Sequence, residues 1–294
     1  MKSGSIPAFC SSMPGRTARF SSDLRLLVEK ECMIIELQPL YKSRRLHVYQ
    51  QGKLIEKNDP VVIETQLHLI VNDEPAAELV CSPQAFAELA VGYLLSENLL
   101  KDYPDLCSWR LDAQQQAIHL YTKHSWLGQA QHTRQINSYA GRGLGLQTET
   151  TGIAAVTSAK DLFTPAQIFA MIDALENSGG TFHLTGGTHN AGLGYQGQLL
   201  VNFEDIGRHN AVDKVFGHAF LQQIPLNDKC LVLSGRIASE ILLKAARRNI
   251  ALVVSRSAAT GLAIDLAEAL GITLVGFTRG DRFNIYCHRE RIQM

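Results

Sequence analysis

The chain has 294 residues, 46% hydrophobic and 19% charged, enough apolar sequence to bury a core in one large domain or two smaller ones and too much for a disordered chain. Lys and Arg balance Asp and Glu at 28 each, so no global field selects a nucleic-acid duplex or an anionic membrane, and no apolar run approaches the roughly 20 residues of a membrane helix. Six scattered cysteines (Cys10, Cys32, Cys81, Cys107, Cys230, Cys287) lack C-x-x-C spacing, which excludes a zinc ribbon, a thioredoxin motif or a small disulfide scaffold and indicates a cytoplasmic protein.

Residues 1–32 are rich in Ser and Arg, with no acidic residue before Asp23, and read as a disordered leader with Met33 as an alternative start. Residues 33–150 read as a mixed, β-rich α+β subdomain. VVIETQLHLIV (61–71), the turn Asn72-Asp73-Glu74-Pro75 and AAELVC (76–81) predict a hairpin. Ser82 as cap and Pro83 at the first position predict a helix that places Phe86, Leu89, Ala90, Tyr93 and Leu94 on one core-facing side. CSWRLD and AIHLYT, flanking AQQQ, predict a second hairpin. Between 125 and 152 the pattern gives way to polar, glycine-rich sequence, expected to be a long functional or mobile loop.

Residues 151–294 read as an α/β subdomain. Thr164-Pro165-Ala166-Gln167 has the form of a capping box, followed by Ile168, Phe169, Ile172 and Leu175 facing inward. From Lys229 onward come CLVL (230–233), a helix over 238–248, ALVV (251–254), a helix over 260–270 and TLVGF (273–277). Short apolar strands without polar alternation, separated by amphipathic helices, predict a parallel βαβαβ unit with right-handed crossovers.

A similar turn follows each of these strands: Ser234-Gly235-Arg236, Ser255-Arg256-Ser257 and Thr278-Arg279-Gly280-Asp281-Arg282. In open α/β sheets ligands bind at the strand carboxyl ends, and two of these turns run into helix N-termini that favour anions. Four arginines on that edge predict a ligand with several phosphates, since guanidinium forks pair phosphate oxygens bidentately. Taken singly, each arginine is equally a solvated charge or a structural ion pair with Asp281, Asp265 or Glu240.

A second constellation, His189 after Thr185-Gly186-Gly187-Thr188 and Asp205, Arg208 and His209 within EDIGRHNAVDK, can transfer protons, bind metal or order a loop. No His pair at i, i+4 and no neighbouring cysteine supports a metal there. Gly192-Leu193-Gly194-Tyr195-Gln196-Gly197 matches G-x-G-x-x-G but precedes the strand-like QLLVNF, and so reads as a hairpin turn rather than a dinucleotide fingerprint.

TGGTHNAGL, EDIGRHNAVDKVFG, SGRIASE and VSRSAATGLAIDLAEALGITLVGFTRGDRFNIY, with VNDEP and FAELAVGYLLSENLL upstream, closely resemble the FdhD formate dehydrogenase accessory family over roughly residues 45–290. The resemblance implies a three-layer, cytidine-deaminase-like α/β core and a homodimer. It also implies a sulfur carrier that passes persulfide sulfur from a cysteine desulfurase to the molybdenum bis(molybdopterin guanine dinucleotide) cofactor. That cofactor is held as cargo before insertion into the formate dehydrogenase apo-enzyme, with GDP-like nucleotides as partial mimics and no structural metal. It places the family's cofactor-binding segment on Phe277, Thr278, Arg279, Gly280, Asp281 and Arg282.

The family's persulfide-bearing C-G-x-C-G loop falls here on Tyr139, Ala140, Gly141, Arg142, Gly143, Leu144 and Gly145, and no cysteine lies between Cys107 and Cys230. The zinc signature of deaminases is absent as well. Three readings stay open: a carrier with a relocated thiol at Cys107, Cys230 or Cys287; a non-catalytic cofactor chaperone; or a nucleotide-binding enzyme using His189, Asp205 and His209.

Overall fold

The computed structural model of the chain describes residues 39–123, 134–136, 153–156 and 163–294; the leader over 1–32 and the Tyr139–Gly145 stretch lie outside the described residues. Charged and polar sequence over 41–60 offers no face to a core, and it forms a two-stranded antiparallel ribbon, β1 (Tyr41–Gln50) and β2 (Lys53–Val62), reversed at Gln51-Gly52 with φ of 50° and 78°. A five-stranded sheet follows in the order β5-β6-β3-β4-β7, built from β3 (Thr65–Val71), β4 (Glu74–Cys81), β5 (Leu106–Asp112), β6 (Ala117–Thr122) and β7 (Arg134–Ile136). Both predicted hairpins are there, but the run 61–71 is divided. Val61 and Val62 finish β2, and the chain breaks at Ile63-Glu64, where the Ile63 N–H donates to the Leu40 carbonyl at 2.8 Å.

Leu67, Leu69, Val71, Leu79 and Cys81 alternate onto one face of this sheet and are covered by helix α1 (Phe86–Ser96) through Leu89, Ala90, Tyr93 and Leu94. The helix does not begin where Ser82 and Pro83 predict. It starts at Phe86, after Ala85 at φ 55°, because Ser82 is engaged elsewhere: its N–H donates to Asp205 and its Oγ accepts from the Ile206 N–H, each at 3.1 Å. Two long-range hydrogen bonds outweigh one local cap.

In the second half α2 (Pro165–Ser178) starts on the predicted capping box, with the Gln167 N–H donating to Thr164 Oγ1 at 3.3 Å and the Thr164 N–H to Gln167 Oε1 at 3.0 Å. The short α3 (Gly180–Thr185) leads into a six-stranded sheet of β8 (His189–Tyr195), β9 (Gln198–Asp205), β10 (Cys230–Leu233), β11 (Leu252–Ser255), β12 (Thr273–Arg279) and β13 (Arg282–Cys287). Its order is β13-β12-β11-β10-β8-β9; β10, β11 and β12 are parallel, as the sequence predicts, and β8, β9 and β13 add antiparallel margins. Gly192 and Gly194 of the glycine motif are strand residues of β8, and only Gln196-Gly197 form the turn. A Cβ on Gly194 would lie 2.4 Å from Met171 Sδ, so the glycine lets α2 sit close against the sheet.

Helices α4 (Arg208–Leu221), α5 (Ser239–Arg247) and α6 (Gly261–Leu270) cover one face with Leu231, Val253 and Leu274 beneath them, while α2 covers the other over Val232, Val254 and Val275. The result is a mixed α/β structure of three layers. The two halves meet where α1 crosses α4 backbone to backbone. A Cβ on Gly92 would lie 1.8 Å from the Asp213 carbonyl oxygen, and one on Gly217 1.9 Å from that of Glu88.

Candidate anion site at the sheet edge

Topology gathers the turns singled out by the sequence. The parallel strands β10, β11 and β12 end at one edge; β8 starts there and β9 ends there, since Leu233 pairs with Ala191 and His189 with Asp205. β13 starts there too, through the Arg279–Arg282 pair. At about 4.8 Å per strand the edge runs for roughly 24 Å.

At its β8–β10 end, Gly235 sits against His189 and Arg208. A Cβ there would lie 3.1 Å from His189 Nδ1 and 3.7 Å from Arg208 Cβ. Burial, then the charges of Arg208 and Arg236, hold the His189 imidazole below its ordinary pKa, against the opposing pull of Asp205. Arg208 is likewise lowered by burial and by Arg236, with Glu240 acting the other way. Glu240 already carries an ion pair with His209 at 3.3 Å, and Arg208 Nε is buried with no acceptor. The His189 imidazole and the charges of Arg208 and Arg236 thus oppose one another beside the Gly235 turn, an arrangement that an oxyanion between them would relieve.

The sign of the His189 shift gives a pH dependence. A depressed folded-state pKa means that the unfolded chain takes up the proton first, so stability is fully present above about 6.5 and falls as the pH drops below it. Urea unfolding at pH 7.5 and 5.5 should show a smaller acid loss in His189→Asn than in the parent. Equal losses would mean that burial and the neighbouring arginines do not hold the imidazole's pKa down.

Asp205 does not belong with the ligand-facing groups. Its carboxylate accepts from the Ser82 N–H, from the Gly207 N–H at 2.9 Å and from Asn210 Nδ2 at 3.0 Å, and it pairs with Lys214 Nζ at 2.7 Å, both side chains fully buried. With its lone pairs occupied it orders the turn into α4 and has no position left from which to take a proton from a ligand. Glu204 acts similarly, accepting from the Thr181 and Phe182 N–H groups and from Thr188 Oγ1 and so holding the loop before His189. Sequence reasoning missed the roles of Ser82, Asn210 and Lys214: Ser82 meets Asp205 and Ile206, and Asn210 meets Val80, more than 120 residues away, and the inward turn of Lys214 toward Asp205 follows from that burial.

Toward the β11–β13 end the tips are tied together. Ser255 Oγ donates to the Gly235 carbonyl at 2.7 Å and accepts from the Ser257 N–H at 2.9 Å, and Ser234 Oγ accepts from the Asn190 N–H at 2.9 Å. Arg256 forms an ion pair with Glu176 of α2, a partner the sequence does not suggest, while its carbonyl accepts from Arg279 Nε at 3.2 Å. The Arg279 guanidinium lies over the Phe277 ring, 5.6 Å from its centroid. Phe277 has φ 52°, in the left-handed region, beside a register shift between Gly276 and Arg279. Strain of this kind costs about 1–3 kcal/mol and persists where surrounding structure enforces it; here the Phe277 N–H donates to the Ser257 carbonyl at 2.9 Å. Thr278 Oγ1 is buried without a partner, and Arg236, Gly280, Asp281 and Arg282 are exposed. Neither Asp281 nor Asp265 pairs with any of these arginines among the described residues.

Residues 62–293 match the model of the FdhD/NarQ family. The chain belongs to this family. Proteins named sulfur carrier protein FdhD are similar to it: the one from Bacillus pumilus is 40% identical over 259 residues, covering 85% of this chain and 97% of its own. That from Bacillus subtilis is 38% identical over 250 residues, covering 83% and 95%. A crystal structure described as that of a formate dehydrogenase accessory protein from Desulfotalea psychrophila superposes with a TM-score of 0.72 at 27% identity, over 87% of this chain and 100% of that one.

Because the Bacillus relatives are named sulfur carriers and a nucleophilic sulfur site requires a thiolate, the environments of the thiols matter. Burial pushes Cys81 and Cys230 up to about 12 and Cys287 to about 11. Cys230 enters the sheet fully enclosed, and Cys107 on β5 is half-buried. No helix among the described residues is long and apolar enough to cross a membrane.

Proposed function

We propose that this FdhD/NarQ protein binds the molybdenum bis(molybdopterin guanine dinucleotide) cofactor as cargo along the six-stranded sheet edge and delivers it to apo-formate dehydrogenase. The mutual repulsion of Arg208, Arg236 and His189 beside the Gly235 turn, with a buried guanidinium nitrogen lacking an acceptor, carries the reading. A ligand with two pyrophosphates suits an edge that has a second basic group, Arg279 and Arg282, two to three strands away, or about 10–14 Å. Glycine at 235 brings the turn backbone close to the His189 ring, and the Phe277 ring offers an apolar surface beside Arg279 in the second group. The N–H groups opening α4 and α5 add partial positive charge to the same edge. The protein's part is to bind, orient and shield the cargo.

GDP, half of the dinucleotide cargo in its phosphate chemistry, is the probe. Arg236→Ala and Arg279→Ala should each weaken GDP binding about ten- to a hundredfold in calorimetry, corresponding to about 1.5–3 kcal/mol for a charge-assisted hydrogen bond. Affinity unchanged in both variants would remove the edge from consideration.

Sulfur relay from a cysteine desulfurase needs a thiol that the donor can reach, and the family's loop position holds Tyr139–Gly145 without one. Binding and delivery are therefore the reading we favour: of the candidate relocated thiols Cys107, Cys230 and Cys287, the last two are opposed by their burial, and Cys107 is half-buried on β5. Incubation with a cysteine desulfurase and cysteine should leave these three without a persulfide. A thiol-sensitive gain of one sulfur atom in the intact mass, lost when any one of them is replaced by Ser, would restore the carrier mechanism.

A further inference from the structure

The β1–β2 ribbon takes no part in the site, and it is the one strand pair among the described residues that joins neither large sheet. A lone two-stranded ribbon is marginal in water. This one ends in apolar side chains: Tyr49 and Leu54, opposite each other, are 75% and 70% exposed, and Ile55, opposite Val48, is 47% exposed. The ribbon is basic, since Lys42, Arg44, Arg45, Lys53 and Lys57 outnumber Glu56, which pairs with Arg45, and Asp59, which pairs with Lys57, in a chain that is neutral as a whole. Its root is fixed beside the site. Val62 packs on Gly187, where a Cβ would lie 2.7 Å from Val62 Cγ1, and Gly187 precedes His189 by two residues.

We propose that the ribbon is a docking arm for the protein that receives the cargo, and that it fits an apolar pocket rimmed by carboxylates on that protein. The inference rests on the delivery reading above. Charge selects the occupant: pairing two copies tip to tip brings their Lys53 side chains together, whereas an acidic rim complements the basic ribbon and speeds encounter. Ten residues per strand at about 3.4 Å each allow a grip up to roughly 30 Å from the root. The root contact with Gly187 connects that grip to the loop holding His189.

The test uses the full chain and immobilised apo-formate dehydrogenase from the same organism. Dissociation constants are measured for the parent, for Tyr49→Ser/Leu54→Ser and for Lys53→Glu/Lys57→Glu, with GDP calorimetry and sedimentation velocity on each. At least tenfold weaker enzyme binding in both variants is expected, with GDP affinity and sedimentation unchanged. Variants that bind the enzyme like the parent, or a parent that does not bind it, would overturn the proposal. So would variants whose main change is a lower oligomeric state, since the arm would then belong to a second copy of this chain. If the parent fails to bind GDP while the arm variants still lose the enzyme, the cofactor reading falls and the docking arm stands.

Discussion

Replacing Gly217 by Ala should destabilise the protein by about 3 kcal/mol or more, although alanine is the better helix former by roughly 1 kcal/mol. The added Cβ would lie 1.9 Å from the Glu88 carbonyl oxygen, 2.7 Å from its carbon and 2.8 Å from the Gly92 nitrogen. All three are backbone atoms of α1, so no side chain can rotate away, and the helices must separate along their whole crossing. Overpacking against yielding side chains typically costs 1–3 kcal/mol, and rigid backbone on the far side places this substitution at the upper end or beyond. Gly92→Ala, whose Cβ would lie 1.8 Å from the Asp213 carbonyl oxygen, should behave alike. The crossing also bears on the site, because α4 carries Arg208 at its first turn. Urea unfolding checks the stability, and GDP affinity of the surviving fold should fall along with it. A Gly217→Ala protein as stable as the parent would mean that α1 and α4 do not touch backbone to backbone.

Lys214→Met should cost about 3–5 kcal/mol, the range for removing one partner of a buried ion pair. Lys214 and Asp205 are both fully buried at 2.7 Å, and the substitution leaves the carboxylate enclosed with three hydrogen-bond donors and no counter-charge. The penalty is that of an uncompensated buried charge, so it should shrink when the charge is removed as well. In a double-mutant cycle Asp205→Asn/Lys214→Met should be less destabilised than the two single variants together, by at least about 1 kcal/mol. Additive losses would show that the two groups do not stabilise each other. The pair also fastens the halves of the molecule, since Asp205 holds the Ser82 N–H and Asn210 Nδ2 donates to the Val80 carbonyl at 2.8 Å. Near-native stability of Lys214→Met would move that fastening to the α1–α4 crossing alone.

The α/β character of the second half, its three parallel strands and the arginines at their tips were legible because each rests on local pattern. Four-residue apolar runs such as CLVL over 230–233 and ALVV over 251–254, spaced by amphipathic helices, admit few arrangements other than a parallel sheet. Parallel strands necessarily present their carboxyl ends on one edge, so Arg236, Arg256 and Arg279 could be grouped before any coordinates. The capping box at Thr164 is equally local, and the motifs of the FdhD/NarQ family are contiguous stretches of sequence.

Tertiary structure alone decided which of those groups face a ligand. His189 joins the edge because β8 pairs antiparallel with β10, a contact across some forty residues with no signature in either strand. Asp205 was drawn inward by Ser82, Asn210 and Lys214, and Ser82 was thereby withdrawn from the cap its sequence suggested. Arg256 was claimed by Glu176 from a helix on the opposite layer, and Phe277 was forced to φ 52° by a bulge invisible in a run of apolar residues. The division has one physical cause. Hydrophobic period and turn chemistry act over a few residues and are written in the order of the chain. Desolvation and hydrogen-bond satisfaction depend on which distant groups arrive in the same buried space, and only folding brings them there.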